Sequence, residues 1–252
     1  MMFMKKFIYL ILLLLFSGSI IAQSSELLFE KGNQAYNNKQ YEQALKSYLL
    51  IEKSKNISAE LYYNIGNTYF RLFDYTNAIL YYERAILLKP NNQNINTNLK
   101  IAKARLKSDV YVMPNFFLTD WWNKISNLFA ASTWTIISIT LLLITCIVFI
   151  FYYFSYNRKK ILFYSFIFLS FLFVVSCFAG FTRQSIMQSK DKAIVFGEGI
   201  MGKDSPDDNS TDKVKIVKGQ KIKIIDKSSN WIKVKTEDGK EAWIKNNNIV
   251  II

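Results

Sequence analysis

Two long uncharged stretches in the second half of the chain limit what it can fold into. No Asp, Glu, Lys or Arg occurs between Ile125 and Asn157, or from Ile161 to Phe181. A helix needs about 20 consecutive apolar residues to cross ~30 Å of hydrocarbon, and both stretches are long enough. They therefore predict two membrane-spanning helices, which we place at residues 133–154 and 161–182.

The connection between these helices, residues 155–160, has room only for a tight turn, so the two spans should form a hairpin. This turn contains Arg158, Lys159 and Lys160. Basic residues in short loops are retained in the cytoplasm. The pattern predicts a cytoplasmic turn, with the chain on both flanks of the hairpin lying outside.

The N-terminus supports the same topology. Lys5 and Lys6 precede an apolar run, Phe7–Phe16, and the triplet Ile20–Ala22 fits a cleavage signal. This is the pattern of a signal peptide, which we assign to residues 1–22; an uncleaved anchor is the alternative. Either one exports the chain that comes after it, so both flanking domains are expected on the periplasmic side of the inner membrane.

A short aromatic segment leads into the first span. Trp121, Trp122, Ile125 and Leu128 recur at helical spacing. Indole rings favour the headgroup zone of a bilayer. We therefore interpret residues 111–132 as an interfacial linker with Trp121 and Trp122 as its membrane anchors.

An internal repeat lies between the signal peptide and this linker. Gly32, Tyr41, Ala44 and Tyr48 recur at one constant offset as Gly66, Tyr75, Ala78 and Tyr82. This offset resembles the period of the tetratricopeptide repeat, a pair of antiparallel helices. The second copy follows the family pattern closely through Pro90, whereas the first copy has no terminal proline.

Two such repeats are fewer than a stable stack usually needs. Ile95, Leu99, Ala102 and Leu106 form one apolar stripe at helical spacing. Asn91–Leu106 is therefore expected to close the stack. Residues 23–110 are predicted to form an all-α domain of two repeats and a closing helix.

Tetratricopeptide arrays bind extended peptides along the concave face of their first helices. The resemblance implies such a face here, with amides for a peptide backbone, aromatic rings for side chains and an arginine for a carboxylate. The alternative is that some of these residues only pack or face solvent. The candidate groove residues are Asn33, Tyr36, Asn37, Tyr63, Asn67, Phe70 and Arg71.

The C-terminal residues 183–252 have a different character, with short β-type runs and a hairpin turn at Asp238-Gly239. The predicted strands are Lys192–Phe196, Val214–Val217, Ile222–Asp226, Trp231–Thr236 and Glu241–Lys245. Their order resembles the bacterial SH3-like domain, a small all-β barrel, through Val217–Ile222, Asn230–Val234 and Asp238–Ile244. Trp231 and Trp243 are core or ligand-surface aromatics, and packing in the barrel is the favoured role.

The composition gives little support to catalysis. The chain has no histidine, and its two cysteines, Cys146 and Cys177, lie inside the apolar stretches. The commonest general base and the commonest zinc ligands are therefore missing. We expect no enzyme activity, catalytic residue, cofactor or metal site. The net charge of +13 is spread over the chain without a dense basic stripe, so nucleic acid is not an expected partner.

The order of signal peptide, repeats, two-span hairpin and SH3-like domain resembles the BatE-type proteins of the aerotolerance operon in Bacteroides-like bacteria. This resemblance implies a scaffold in the inner membrane that works with membrane proteins bearing von Willebrand A domains, in oxygen tolerance or envelope stress. A second hypothesis is a cell-wall sensor whose SH3-like domain binds peptidoglycan. In both, the lipid bilayer is a further partner.

Overall fold

The computed structural model describes residues 19–107, 114 and 116–252. The greater part of the expected signal peptide, residues 1–18, lies outside the described residues, as do residues 108–113 and 115 next to and within the expected linker. The first described helix, α1 (Ser19–Asn37), runs through the expected cleavage point.

The repeat region consists of antiparallel helices, three of which begin at side-chain caps. After α1 come α2 (Tyr41–Lys53), α3 (Ala59–Arg71), α4 (Tyr75–Leu88) and α5 (Gln93–Arg105). The side chains of Ser58, Asp74 and Asn92 accept hydrogen bonds from the first-turn amides of α3, α4 and α5. Such caps satisfy backbone donors that have no partner inside a helix.

Small residues let the paired helices approach closely. A Cβ on Gly32 would lie 2.5 Å from the Tyr48 ring, and one on Gly66 would lie 2.7 Å from the Tyr82 ring. Both rings are buried. The recurrence of glycine and tyrosine at this period is thus a packing requirement, and the helix pairs of the sequence prediction are present.

The two apolar stretches form the antiparallel helices α7 (Ala131–Phe154) and α8 (Lys159–Gln188). Both are long and apolar enough to cross a membrane. The Ser138 and Ser176 hydroxyls lie 2.9 Å apart between them, beside the buried Ala179. Helix α8 continues beyond the predicted limit at residue 182, which brings Arg183 to the repeat region.

The predicted interfacial helix is α6 (Phe117–Ser126). Trp121 is 61% exposed and points away from the protein. Trp122 instead packs on α8, where its ring centroid lies 5.0 Å from that of Phe178 and its Nε1 donates to Thr182 Oγ1 at 3.2 Å. The two tryptophans therefore face different surroundings.

The C-terminal region is an antiparallel sheet with strand order β3-β2-β6-β5-β4-β1-β7. The strands are β1 (Lys192–Val195), β2 (Ile200–Lys203), β3 (Asp212–Ile216), β4 (Lys221–Ser228), β5 (Trp231–Thr236), β6 (Glu241–Lys245) and β7 (Ile249–Ile251). Five of them match the predicted runs. The short strands β2 and β7 were not predicted. The fold class is confirmed: an all-α repeat region, two apolar helices and an all-β SH3-like region.

The barrel docks on the repeats, which the sequence does not reveal. Ile194 of β1 is buried in the same cluster as Ile79 of α4 and Leu99 of α5, and Phe196 and Ile252 pack on this cluster. Arg84 Nη2 donates to the Ile251 carbonyl at 3.2 Å.

Comparison of the two repeats gives a reason for this docking. The second helix of the first repeat carries Leu49 and Leu50, and the equivalent positions of the second repeat carry Glu83 and Arg84. Glu83 and Arg84 both bond to the barrel. Helix α4 thus has two charged residues where the equivalent helix of the first repeat has leucines, and these charged residues bond to the barrel.

Candidate peptide-binding groove

A cleft of about 340 Å³ opens on the repeat region and is lined mainly by α1, α3 and α5. Five of the seven predicted groove residues line this cleft, so the structure brings them together. Its full lining is Tyr36, Tyr63, Asn67, Phe70, Arg71, Tyr82, Asn98 and Ile101.

Asn33 and Asn37 are the two predicted residues that do not line the cleft. Asn33 is occupied inside the stack, where its Oδ1 accepts from the Tyr48 hydroxyl at 2.7 Å and from Asn64 Nδ2 at 3.1 Å. Asn37 is exposed at the end of α1. Asn33 therefore holds helices together rather than facing a ligand.

The bonds of Asn33 recur one repeat later. Asn67 Oδ1 accepts from the Tyr82 hydroxyl at 2.8 Å and from Asn98 Nδ2 at 2.9 Å. Within the described residues, Asn67 Nδ2 makes no hydrogen bond. The carbonyl of Asn67 thus supports the fold, and its amide nitrogen is available to a peptide carbonyl.

Burial also affects the hydroxyls of Tyr48 and Tyr82, which donate these hydrogen bonds to Asn33 and Asn67. Burial, with a smaller contribution from Tyr36, raises the pKa of Tyr48 to about 12. The pKa of Tyr82 is also raised, mainly by burial and then by Tyr63 and Tyr36. The hydroxyls therefore remain donors to Asn33 and Asn67 across the physiological pH range.

Three lining residues, Tyr82, Asn98 and Ile101, were missed by sequence reasoning. Asn98 lies one repeat period after Asn64 and repeats its role, so the closing helix α5 corresponds to the first helix of a third repeat. The next position of the asparagine series after Asn33 and Asn67 is Ile101. The period itself was the signal that could have found them.

Arg71 is the only charged residue among those that line the cleft. Its side chain is exposed, and its Nε donates to the Tyr36 hydroxyl at 3.4 Å. Among the described residues it has no carboxylate partner. The cleft therefore combines one unpaired guanidinium with aromatic walls and an amide donor.

Trp231 and Trp243 are half-buried on the outer face of the barrel, which corrects the favoured core role. The core-facing apolar residues of these two strands alternate with the tryptophans; they are Ile232, Val234, Ala242 and Ile244. Lys245 lies over the Trp231 ring, 5.6 Å from its centroid. The pleat of the strands puts both indoles on the outside.

A second cleft of about 680 Å³ lies between the repeat loops and the start of α7. At its edge, Asn91 Nδ2 donates to the Asn127 carbonyl at 2.7 Å. Arg183 closes the same junction, with Nη1 donating to Asn127 Oδ1 at 3.2 Å and Nη2 donating to the Leu87 carbonyl. These contacts connect the repeats, the interfacial segment and the hairpin.

Comparison with known proteins finds family models that match part of the repeat region and part of the C-terminal barrel. The tetratricopeptide repeat model matches residues 59–92, and the bacterial SH3 domain model matches residues 204–250. Both are binding domains and are typically non-catalytic. No curated protein matches the chain.

Solved structures also match, among them the C-terminal SH3 domain of myosin IB from Entamoeba histolytica, crystallised with a peptide. It is 23% identical, and the alignment covers 26% of this chain and 98% of that one, with a TM-score of 0.20. At this TM-score the likeness carries no weight for the fold or function of this chain.

Proposed function

We propose that this protein is a scaffold of the bacterial cell envelope that binds protein partners through the groove of its repeats. A membrane hairpin, α7 and α8, anchors it. The repeats and the SH3-like barrel together form the outer part, and no catalysis is involved.

The observation that carries this proposal is the state of Arg71. An exposed guanidinium without a carboxylate partner, set among aromatic rings and the Asn67 amide, suits a peptide with an acidic group. Among the described residues, no carboxylate competes with a ligand for this guanidinium.

The docking of the barrel on the repeats supports the hairpin topology. Glu83 and Lys221 come from opposite flanks of the two apolar helices, and they contact each other directly. That contact supports a position of both flanks on one side of a membrane, as two antiparallel spans allow. The basic turn and the expected export signal favour the periplasmic side of the inner membrane.

The architecture further suggests which partners to test. By its resemblance to BatE-type proteins, the scaffold would act with membrane proteins that carry von Willebrand A domains, in aerotolerance or envelope stress. An acidic segment on such a partner would suit Arg71.

The test is cross-linking of the full-length chain in its own membrane, followed by purification and identification of partners. Arg71→Gln should reduce recovery of the specific partner several-fold. The matched control is Lys46→Gln, which removes one charge from an exposed position on α2. It should leave recovery of the partner unchanged. Recovery of only lipid and self, or equal recovery with Arg71→Gln, would contradict the proposal.

Topology has its own test. Tyr156 is exposed in the turn between α7 and α8. In a background with Cys146→Ser and Cys177→Ser, a Tyr156→Cys variant should resist a membrane-impermeant maleimide in spheroplasts and react after lysis. Reaction without lysis would place the turn outside.

The outer face of the barrel favours a second candidate, the cell-wall sensor. Trp231 and Trp243 lie on that face among lysine side chains, a surface with stacking and hydrogen-bonding groups. Because the barrel packs on the repeats, the full-length chain in detergent should be sedimented with purified peptidoglycan. Failure to co-sediment, or co-sedimentation that is unchanged by Trp231→Leu with Trp243→Leu, would rule this face out.

A further inference from the structure

Phe73 occupies an unusual position at the turn between α3 and α4. Its φ angle is +63°, in the left-handed region, and its side chain is 78% exposed. Among the described residues of the repeats and the barrel, no other large apolar side chain is as exposed. A bulky residue at positive φ is a genuine outlier, and such strain is concentrated at functional sites.

The turn requires the left-handed conformation, but it does not require phenylalanine. The equivalent turns, one repeat period before and one after, place Lys39 at φ +61° and Lys107 at φ +50°. Glycine would meet this requirement at the lowest cost. A lysine side chain can extend into water, whereas the Phe73 ring gains nothing from its exposure in the free protein.

The Phe73 ring is joined to the groove by two other aromatic rings. Its centroid lies 6.4 Å from that of Tyr75 at an interplanar angle of 90°, and Tyr75 lies 5.3 Å from Phe70. Phe70 lines the cleft next to Arg71. We call Phe70, Phe73 and Tyr75 the aromatic rim. It is continuous with the cleft on the side of the guanidinium.

We propose that the aromatic rim is the second half of the binding site and that it receives an aromatic or aliphatic side chain from a partner peptide. Arg71 holds a carboxylate close by on the same peptide. The occupant is thus an extended segment of a protein with an acidic residue near an apolar one. This inference rests on the proposed function and specifies the class of peptide.

The charge and the apolar area of the site both support this occupant. Arg71 is the single charge of the cleft and attracts an anionic group. The rim offers ring edges and faces that a second apolar side chain can cover, and exposed aromatic clusters are typical anchors of protein recognition. A purely acidic ligand would leave Phe73 uncovered, and a purely apolar one would leave Arg71 unpaired.

The experiment uses the full-length chain in nanodiscs to select from a display library of random linear peptides. The wild type should enrich sequences with Asp or Glu within a few residues of Phe, Tyr, Trp or Leu. Phe73→Gly should retain the preference for acidic residues and lose the preference for apolar ones. Its affinity for a synthetic peptide selected by the wild type should be about tenfold lower. Arg71→Gln should retain the preference for apolar residues and lose the preference for acidic ones.

Two controls separate the possible failures. Phe73→Gly suits the positive φ angle, so it should fold, and Lys39→Gly makes the same backbone change in the first repeat without touching the rim. If the wild type enriches nothing, the proposed function fails. If the wild type and Phe73→Gly enrich the same peptides with equal affinity, only the aromatic rim is refuted and the groove remains.

Discussion

Lys221 Nζ of the barrel lies 2.5 Å from Glu83 Oε2 of the repeats. Glu83 is only 4% exposed, and Lys103 Nζ lies 3.7 Å from its other oxygen. Lys103 also lies 3.5 Å from Glu237 in the barrel. One buried carboxylate therefore connects α4, α5 and β4, and it joins the repeats to the barrel.

Removal of this carboxylate should separate the barrel from the repeats. Glu83→Gln leaves Lys221 without the carboxylate it contacts directly and leaves Lys103 with Glu237, and loss of one partner from a buried pair costs about 3–5 kcal/mol. We expect a lower thermal midpoint in detergent and faster proteolysis near residues 189–191.

The matched control is Lys218→Gln, which breaks the more exposed pair of Lys218 with Glu198. Exposed pairs contribute ~0–1 kcal/mol, so this variant should resemble the wild type. Equal effects of Glu83→Gln and Lys218→Gln would show that the buried pair does not hold the interface.

The same pair makes domain docking depend on pH. Burial alone would raise the pKa of Glu83, but the charges of Lys221 and Lys103 outweigh burial and hold the pKa below its ordinary 4.5. Burial opposes the charged form of Lys221 too, yet Glu83 holds the pKa of this lysine above its ordinary 10.5.

The directions of these two pKa shifts define the pH range in which the pair stabilises the fold. The contribution of Glu83 is present above pH 4.5 and is lost as pH falls through its folded-state pKa; that of Lys221 is present below pH 10.5 and is lost as pH rises through its folded-state pKa. The difference in thermal midpoint between the wild type and Glu83→Gln should therefore be greatest between these limits and shrink outside them. A difference that is constant with pH would contradict this assignment.

Gly66→Ala should destabilise the repeats although alanine favours helices. The new Cβ would lie 2.7 Å from the buried Tyr82 ring, and overpacking of this kind costs about 1–3 kcal/mol. Chemical unfolding should show this loss. In Gly66→Ala with Tyr82→Leu, the two losses should be less than additive, because the smaller side chain makes room for the methyl group. Additive losses would mean that the ring is not the obstacle.

Arg183 should control how firmly the repeats are held against the hairpin. Its side chain is 2% exposed, and it donates to the Leu87 carbonyl and to Asn127. Hydrogen bonds from a charged group contribute ~1.5–3 kcal/mol. Arg183→Met should increase hydrogen exchange at residues 87–92 and 127–130 in nanodiscs.

Arg183→Lys should restore little of this protection, because one ammonium cannot copy the two-pronged geometry of the guanidinium. Arg158→Met, in the turn at the other end of the hairpin, is the control and should leave exchange at these residues unchanged. Full protection in Arg183→Lys would show that only the charge matters.

Phe73→Gly should stabilise the repeats. A non-glycine residue in the left-handed region costs about 1 kcal/mol, and glycine removes that strain. Lys39→Gly, at the same position of the first repeat, should give a similar gain. Both gains would be read from urea unfolding; a loss with Phe73→Gly alone would mean that the ring stabilises the free protein.

The repeat pattern, with the family it resembles, was sufficient for part of the candidate groove. The repeat period places Tyr36 and Phe70 on equivalent helices, and the resemblance to the tetratricopeptide repeat then implied the five predicted residues that line the cleft. The same spacing could not reveal that Asn33 is occupied by Tyr48 and Asn64. A side chain at a groove position of the repeat can bond to neighbouring helices or face the cleft, and the residues around it decide between the two.

The barrel tryptophans show the same limit. Alternation in β5 and β6 put Trp231 and Trp243 on one face, but it did not say whether that face was the core or the surface. The outcome depended on which face of the strands was covered by the rest of the barrel.

The sequence by itself determined the two apolar spans, the helix pairs and the β-rich C-terminus, because length, period and turn chemistry act over neighbouring residues. Only the tertiary structure decided that the barrel docks on the repeats and that Arg183 connects them to the hairpin. The Lys221–Glu83 bond joins residues separated by 138 positions, and the Arg183–Leu87 bond joins residues separated by 96. No local pattern encodes such contacts, because they depend on the shape and charge of surfaces that exist only after each module has folded.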